Sequence, residues 1–143
     1  MKAWQLSFHR INLRYPWLFE ADQTTGKLKS RESIDLLIDD CCASQISQLT
    51  ISRSFNRPSG IDNSSTGIDL CFDNVQHASV CLNDCELPLD EGIQLQCVDV
   101  QQTLKSFNTL TVKFTVASSR SDDLKAAVAA ICEGTHLRIN EEH

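Results

Sequence analysis

Apolar and polar residues alternate with a period of two through most of the chain. Over four to eight residues this pattern is typical of a strand with one face buried in a core. The runs lie at residues 4–13, 49–55, 68–72, 78–82, 93–97, 110–116 and 137–139. Because five of them follow one another without a helix between them, they predict a mainly antiparallel sheet of about six to seven short strands.

Two segments instead repeat apolar residues with the helical period of about 3.6. The first covers residues 31–44 and follows Ser30, a suitable N-cap. The second covers residues 122–133, follows Ser121 as the expected cap, and ends before Gly134. The apolar positions are Ile34, Leu37, Ile38, Cys41 and Cys42 in the first helix, and Leu124, Val128, Ile131 and Cys132 in the second. The sequence therefore predicts an α+β fold, in a single domain of residues 1–143, with two amphipathic helices.

Charge is distributed unevenly along the chain, although the formal net charge is only −6 over 143 residues. Residues 1–31 hold six basic and two acidic residues, a local net charge of +4. Residues 58–104 hold eight acidic residues and no Lys or Arg, a local net charge of −8. At this composition chance would place roughly four basic residues in such a block. The gap therefore indicates a surface with a negative electrostatic field.

This acidic block predicts a protein-binding function. Carboxylates without compensating cations attract a basic surface on a partner and speed the encounter. The sequence favours a small acidic inhibitor or adaptor, of the kind that phages and other mobile elements encode, directed at a basic partner such as a nucleic-acid-processing complex. The residues expected to bind are Asp69, Asp73, Asp84, Glu86, Asp90 and Glu91. The same block is also compatible with a merely solvated acidic surface.

The N-terminal segment supports an alternative function from a different class. It interleaves cations, which can bind phosphate, with aromatic rings, which can stack on bases. The residues concerned are Lys2, Arg10, Arg14, Tyr15 and Trp17. They predict an accessory subunit that binds single-stranded nucleic acid. This alternative is disfavoured because a net charge of −6 repels a polyanion everywhere except at a local patch.

The strands at 68–73 and 79–84 predict a β-hairpin. If their apolar residues share one face, Leu70 pairs with Leu82, and Cys71 lies directly opposite Cys81. The register of this hairpin would place the acidic residues of the block on one face and edge of the sheet.

Seven cysteines are present, which is many for a chain of this length. Cys71, Cys81, Cys85 and Cys97 could be drawn as a four-thiolate zinc site. Their spacing lacks the two Cys-x2-Cys turns of structural zinc sites, so the sequence favours reduced, buried or half-buried thiols and no bound metal.

Sequence motifs of catalysis are absent. The chain contains no Gly-x-Ser-x-Gly elbow, no His-Glu-x-x-His and no glycine-rich phosphate loop. Asp69 and Asp73 share a strand face, but no Glu-x-Lys follows on a neighbouring strand to complete a nuclease site. We therefore expect no enzyme and no cofactor.

The expected location is the cytoplasm. No apolar run approaches the ~18–20 residues of a membrane span, and residues 1–6 hold no continuous apolar stretch of the kind that secretion signals need. A reducing compartment would keep the thiols unpaired.

Overall fold

The computed structural model describes residues 6–58, 66–116 and 120–142. Within these residues it contains ten strands and two helices. In chain order the elements are β1 (Leu6–Asn12), β2 (Trp17–Ala21), β3 (Thr24–Leu28), α1 (Arg31–Ala43), β4 (Gln48–Asn56), β5 (Thr66–Asp73), β6 (Ala78–Leu82), β7 (Cys85–Glu86), β8 (Leu95–Asp99), β9 (Phe107–Thr115), α2 (Ser121–Gly134) and β10 (His136–Glu142). Two helices with mainly antiparallel strands confirm the α+β class.

The strands form two sheets. One has four strands in the order β1-β10-β5-β8, and the other has six in the order β3-β2-β4-β9-β6-β7. Every pairing is antiparallel. Buried residues of both sheets and both helices belong to one apolar cluster. The fold is therefore a β-sandwich with two helices added to the same core.

Strand alternation decides which side of each sheet faces this core. Ile68, Leu70 and Phe72 of β5 are wholly buried, as are Leu110 and Phe114 of β9. Burying such side chains removes apolar surface from water, which stabilises the fold by about 1.5–3 kcal/mol for each. The intervening residues of β9 are polar and more exposed, as the sequence pattern predicted.

Both predicted helices are present within one residue of their expected ends. Ser30 caps α1, where its hydroxyl accepts the Ser33 N–H while the Ser33 hydroxyl accepts the Ser30 N–H. The expected cap of α2 is wrong, because Arg120 is the N-cap residue and Ser121 is the first helical residue. In the described part of the chain, neither helix is long and apolar enough to cross a membrane.

The strand content exceeds the six or seven strands of one sheet that the sequence predicted. Trp17–Ala21 and Thr24–Leu28 form a hairpin whose two turn residues are Asp22 and Gln23. Asp22 adopts a positive φ of 56°, which Asp tolerates better than most residues. The two-residue strand β7 (Cys85–Glu86) also lies outside the prediction.

The predicted hairpin between β5 and β6 does not form. β5 pairs with β10 and β8, and β6 pairs with β9 and β7, so the two strands belong to different sheets. Their apolar faces both point into the shared core. Alternation indicates which side of a strand is buried, but it does not indicate which strand is its neighbour. Two strands paired in one sheet and two strands facing each other across a sandwich show the same alternating pattern.

Candidate functional site

The hairpin of β6 and β7 turns through Asn83 and Asp84, which have positive φ values of 51° and 67°. Two residues in this conformation make the turn whose twist matches a two-residue β-hairpin, and Asn and Asp adopt it at low cost. Leu82 pairs with Cys85 and Cys81 pairs with Glu86. The turn therefore projects Asp84 and Glu86 into solvent at the end of the six-stranded sheet.

Asn108 holds this hairpin in place. It is wholly buried, and its side-chain oxygen accepts the Lys105 N–H and the Asn83 amide, both at 2.8 Å. The Asn83 side-chain oxygen in turn accepts the Thr109 N–H at 2.9 Å. Buried polar groups that are fully hydrogen-bonded rigidify the elements they join. The β6–β7 hairpin is therefore attached to β9 by a buried polar network.

Residues 87–94 carry the chain from β7, the end strand of one sheet, to β8, the end strand of the other. Gly92 donates its N–H to the Val75 carbonyl at 3.1 Å, and a Glu91 carboxylate oxygen accepts the His77 N–H at 3.0 Å. The Gln96 side chain accepts the Asp90 N–H at 2.9 Å and donates to the Asp90 carbonyl. These bonds close one side of the sandwich, where the Asp90 and Glu91 side chains remain exposed.

Among the described residues, strand β8 pairs along one edge only, with β5. The Cα atoms of Cys97 and Cys71 are 4.1 Å apart, the close spacing of a pair whose backbone groups do not bond each other. Three residues beyond Cys97, the Val100 N–H donates to the Ile68 carbonyl at 2.9 Å, as the alternation of an antiparallel ladder requires. The backbone N–H and C=O groups of Leu95, Cys97 and Asp99 therefore point away from β5, toward the open side.

Strand β8 and the segment 84–93 that leads to it expose carboxylates and apolar side chains. We call the surface formed by β8 and residues 84–93 the acidic edge. Its exposed acidic residues are Asp84, Glu86, Asp90, Glu91 and Asp99, and it also exposes 43% of Ile93 and 54% of Leu95. Within residues 66–104 the sequence supplies no cation to neutralise it.

Two of the predicted acidic residues lie apart from this surface. Asp69 is on the same sheet but forms an ion pair with Arg138 at 3.0 Å and also accepts the Asn140 amide at 3.0 Å. Asp73 lies so close to Gly134 that a Cβ atom on residue 134 would collide with the Asp73 carboxylate. The predicted set is therefore divided: Asp84, Glu86, Asp90 and Glu91 share the acidic edge, whereas the charge of Asp69 is already balanced.

The residues of the nucleic-acid alternative are also divided. Arg10, Arg14 and Tyr15 line one cavity of about 430 Å³. Trp17 is wholly buried, and its indole N–H donates to the Leu13 carbonyl at 3.1 Å. The expectation of an exposed Trp17 ring is therefore wrong, because its strand alternation points it into the core. Lys2 lies outside the described residues.

The four cysteines that could be drawn as a zinc site do not lie together. Cys71 lies directly opposite Cys97 in the four-stranded sheet, and the two form a disulfide. Cys81 and Cys85 belong to the six-stranded sheet. Among the described residues no three His, Cys, Asp or Glu side chains are grouped so that they could hold a metal ion. The expectation that the thiols are reduced is therefore wrong for Cys71 and Cys97. The expectation that Cys81 lies opposite Cys71 is also wrong, because Cys97 occupies that position.

The remaining cysteines differ in exposure, which predicts their reactivity. Cys42 is exposed rather than buried as the helix pattern predicted, and Cys85 is also exposed, whereas Cys41 and Cys132 are buried. Burial raises the pKa of both buried thiols, to about 12 for Cys132, and the thiolate is the reactive form. We expect iodoacetamide at pH 8 to label Cys42 and Cys85 first, as followed by peptide mass spectrometry.

Unfolding without reductant provides the reference for this experiment. It should expose five reactive thiols, and seven after reduction, because Cys71 and Cys97 are joined. Rapid labelling of Cys132 in the native protein would contradict the burial of the inner face of α2.

One signal in the sequence could have located part of the acidic edge. Asn83-Asp84 stands between Leu82 and Cys85, and an Asn-Asp pair between strand residues is a signal for a tight hairpin. Alternation predicts that Ile93 and Leu95 lie on the buried side of a strand, yet both are exposed. Their exposure depends on β8 lying at the end of its sheet, which alternation alone does not reveal.

Comparison with known proteins identifies the fold and nothing more specific. No protein-family model and no curated protein matches the sequence. Among solved structures, the chain is similar to a β-glucuronidase from Bifidobacterium dentium, with a TM-score of 0.63 and 16% identity over 95% of this chain. It is also similar to a β-D-glucuronidase from Dictyoglomus thermophilum, with a TM-score of 0.62 and 10% identity over 94% of this chain.

The match covers only a part of each enzyme. The chain spans 30% of the Bifidobacterium protein and 28% of the Dictyoglomus protein. A β-D-mannosidase from Dictyoglomus thermophilum matches 76% of this chain with a TM-score of 0.59 and 16% identity, and there the chain spans 16% of the protein. The likeness is therefore to a domain-sized portion of these larger proteins.

Proposed function

We propose that this domain binds another protein, without catalysis, by accepting an extended basic segment of the partner along β8. The observation that carries this proposal is the coincidence, within the described residues, of a strand edge that pairs with no other strand and five exposed carboxylates that form no ion pair. An extended peptide that adds to a sheet edge gains backbone hydrogen bonds, and its side chains give the pairing its specificity. The role is that of an inhibitor or adaptor.

The chemistry of the acidic edge decides the kind of segment. Leu95, Cys97 and Asp99 supply the outward backbone groups, and the acidic edge to which they belong exposes five carboxylates. A segment with lysine or arginine at alternate positions would balance these charges. Ile93 and Leu95 offer an apolar contact for the residues between the cations. The partner segment is therefore expected to alternate basic and apolar residues.

Natural proteins commonly blunt their edge strands to avoid unwanted pairing, and carboxylates provide such protection against other acidic or neutral edges. The same charges favour a basic strand. This selectivity supports binding of a specific class of segment over general self-association.

A designed peptide tests the proposal directly. We expect Ac-KVKVKVK-NH₂ to shift the amide resonances of Leu95, Cys97 and Asp99 in the ¹⁵N-labelled protein and to protect them from hydrogen exchange. The variant Glu86→Lys/Asp90→Lys should weaken binding about tenfold at low salt, because two charge reversals each remove an attraction and add a repulsion.

Matched controls separate strand addition from general charge attraction. Glu20→Lys/Asp40→Lys makes the same change in net charge at exposed positions on β2 and α1, and it should bind the peptide nearly as the wild type does. A peptide with proline at alternate positions should not protect β8, since proline lacks the backbone donor. Equal weakening in both double variants would contradict the proposal.

A further inference from the structure

A cavity of about 430 Å³ lies near β1, the strand at the opposite edge of the four-stranded sheet from β8. It is lined by Arg10, Asn12, Arg14, Tyr15, Cys132 and Glu133. This volume falls within the range of small-molecule sites. Since β1 and β8 are opposite ends of one sheet, this cavity is separate from the acidic edge.

The charge of the cavity is positive. The Glu133 carboxylate accepts hydrogen bonds from Arg31 at 3.1 Å and from the Tyr15 hydroxyl at 2.8 Å. The Arg31 hydrogen bond holds the pKa of Glu133 below its usual range, so Glu133 is ionised and its charge is balanced by Arg31. Arg10 and Arg14 remain, with a combined charge of +2.

The other groups in the wall add no negative charge. Burial raises the pKa of Cys132 to about 12, so it is a neutral thiol. Burial and the hydrogen bond to Glu133 also raise the pKa of Tyr15, so its phenol keeps its proton. The cavity therefore combines two guanidinium groups with neutral walls.

The two arginines differ in how they are held. The Arg10 Nε donates to the Asn12 side-chain oxygen at 2.7 Å, which orients the guanidinium and leaves its terminal nitrogens available. Arg14 is exposed, and its side chain makes no hydrogen bond to the described residues. Bidentate binding by guanidinium groups is the preferred recognition of phosphate oxygens.

The chain around Arg14 is fixed in position before any ligand binds. Leu13 donates its N–H to the Thr135 carbonyl at 3.1 Å and accepts the Trp17 indole N–H. The Arg14 carbonyl accepts a hydrogen bond from the Arg53 Nε–H at 2.9 Å. A backbone that is already ordered loses little entropy when a ligand binds.

From these observations we propose that the cavity binds the phosphate group of a small phosphate monoester. A monoester carries a charge close to −2 at neutral pH, which matches the +2 of Arg10 and Arg14. The neutral wall formed by Tyr15 and Cys132 accommodates the organic part of the molecule. A single-stranded nucleic acid is the competing occupant, because three residues of the sequence-based alternative line this cavity.

Phenyl phosphate is a suitable probe for the full chain. We expect saturable shifts of the amide resonances of Arg10, Asn12 and Tyr15 in the wild-type protein, competition by inorganic phosphate, and no shifts with phenol. Arg10→Gln and Arg14→Gln should each weaken binding about tenfold or more, since each loses charge-assisted hydrogen bonds to the phosphate. Asn12→Ala should weaken binding less, because it only frees the orientation of Arg10.

Arg120→Gln is the matched control, an exposed arginine at the start of α2, and it should bind as the wild type does. Absence of saturable phenyl phosphate binding would overturn the proposal, as would unchanged binding in both cavity variants. Binding of an unphosphorylated dT₁₀ oligonucleotide that phenyl phosphate does not displace would also overturn it in favour of nucleic acid. The wild-type shift map decides the question even if a variant fails to fold.

Discussion

Replacing Trp17 with alanine is expected to lower the free energy of unfolding by about 3–5 kcal/mol. The side chain is wholly buried, where it belongs to the common core, and β2 places it opposite Leu28 of β3. The substitution also removes the donor to the Leu13 carbonyl, which would be left to find another partner. Urea unfolding followed by far-ultraviolet circular dichroism at pH 7 measures the change.

Leu18→Ala is the control for this prediction. Leu18 is the next residue of the same strand, but half of its side chain is exposed, so its replacement should cost less than about 1 kcal/mol. If the two substitutions destabilise the protein equally, the assignment of the inner face of β2 is wrong.

Because the Trp17 indole also donates a hydrogen bond to the Leu13 carbonyl, in the segment that shapes the cavity, Trp17→Phe should weaken phenyl phosphate binding as well.

Replacing Cys97 with serine is expected to lower the free energy of unfolding by about 3 kcal/mol under oxidising conditions. The disulfide joins residues separated by 26 positions, and cross-linking a loop of this size restricts the unfolded chain by about that amount. The bond also ties the end strand β8 to β5, so its loss should increase hydrogen exchange at β8. Denaturant unfolding with and without dithiothreitol measures both the bond and the variant.

The exposed, unpaired Cys85 offers the matched control. Cys85→Ser should change stability by less than about 0.5 kcal/mol in either condition. Dithiothreitol should lower the stability of the wild type to near that of Cys97→Ser, and it should leave the variant unchanged. A wild type that is equally stable with and without dithiothreitol would show that the two thiols are not joined in solution.

Much of the secondary structure could be predicted because its causes are local. The helix over residues 31–43 follows from apolar residues at helical spacing after Ser30. The strand at 107–115 follows from alternation, which leaves its inward side chains buried. The β2–β3 hairpin lies outside the prediction, because its turn residues Asp22 and Gln23 carry only a weak turn signal.

The candidate site could be predicted only in part. Residues 58–104, which hold no Lys or Arg, indicate a negative surface, and Asp84, Glu86, Asp90 and Glu91 are on it. Asp69 was included because its charge is visible in the sequence, whereas the cation that balances it lies 69 positions away at Arg138. Pairing between residues this distant depends on which strands become neighbours.

The sequence by itself determined the type of most elements, the buried side of strands β4, β5, β6, β9 and β10, and the distribution of charge along the chain. Each of these depends on side chains within a few residues of one another. Only the tertiary structure decided that β5 and β6 belong to different sheets, that Cys71 meets Cys97, and that Trp17 is buried. The physical reason is that alternation specifies a buried side without specifying a partner, and the partner is chosen by packing of the whole core.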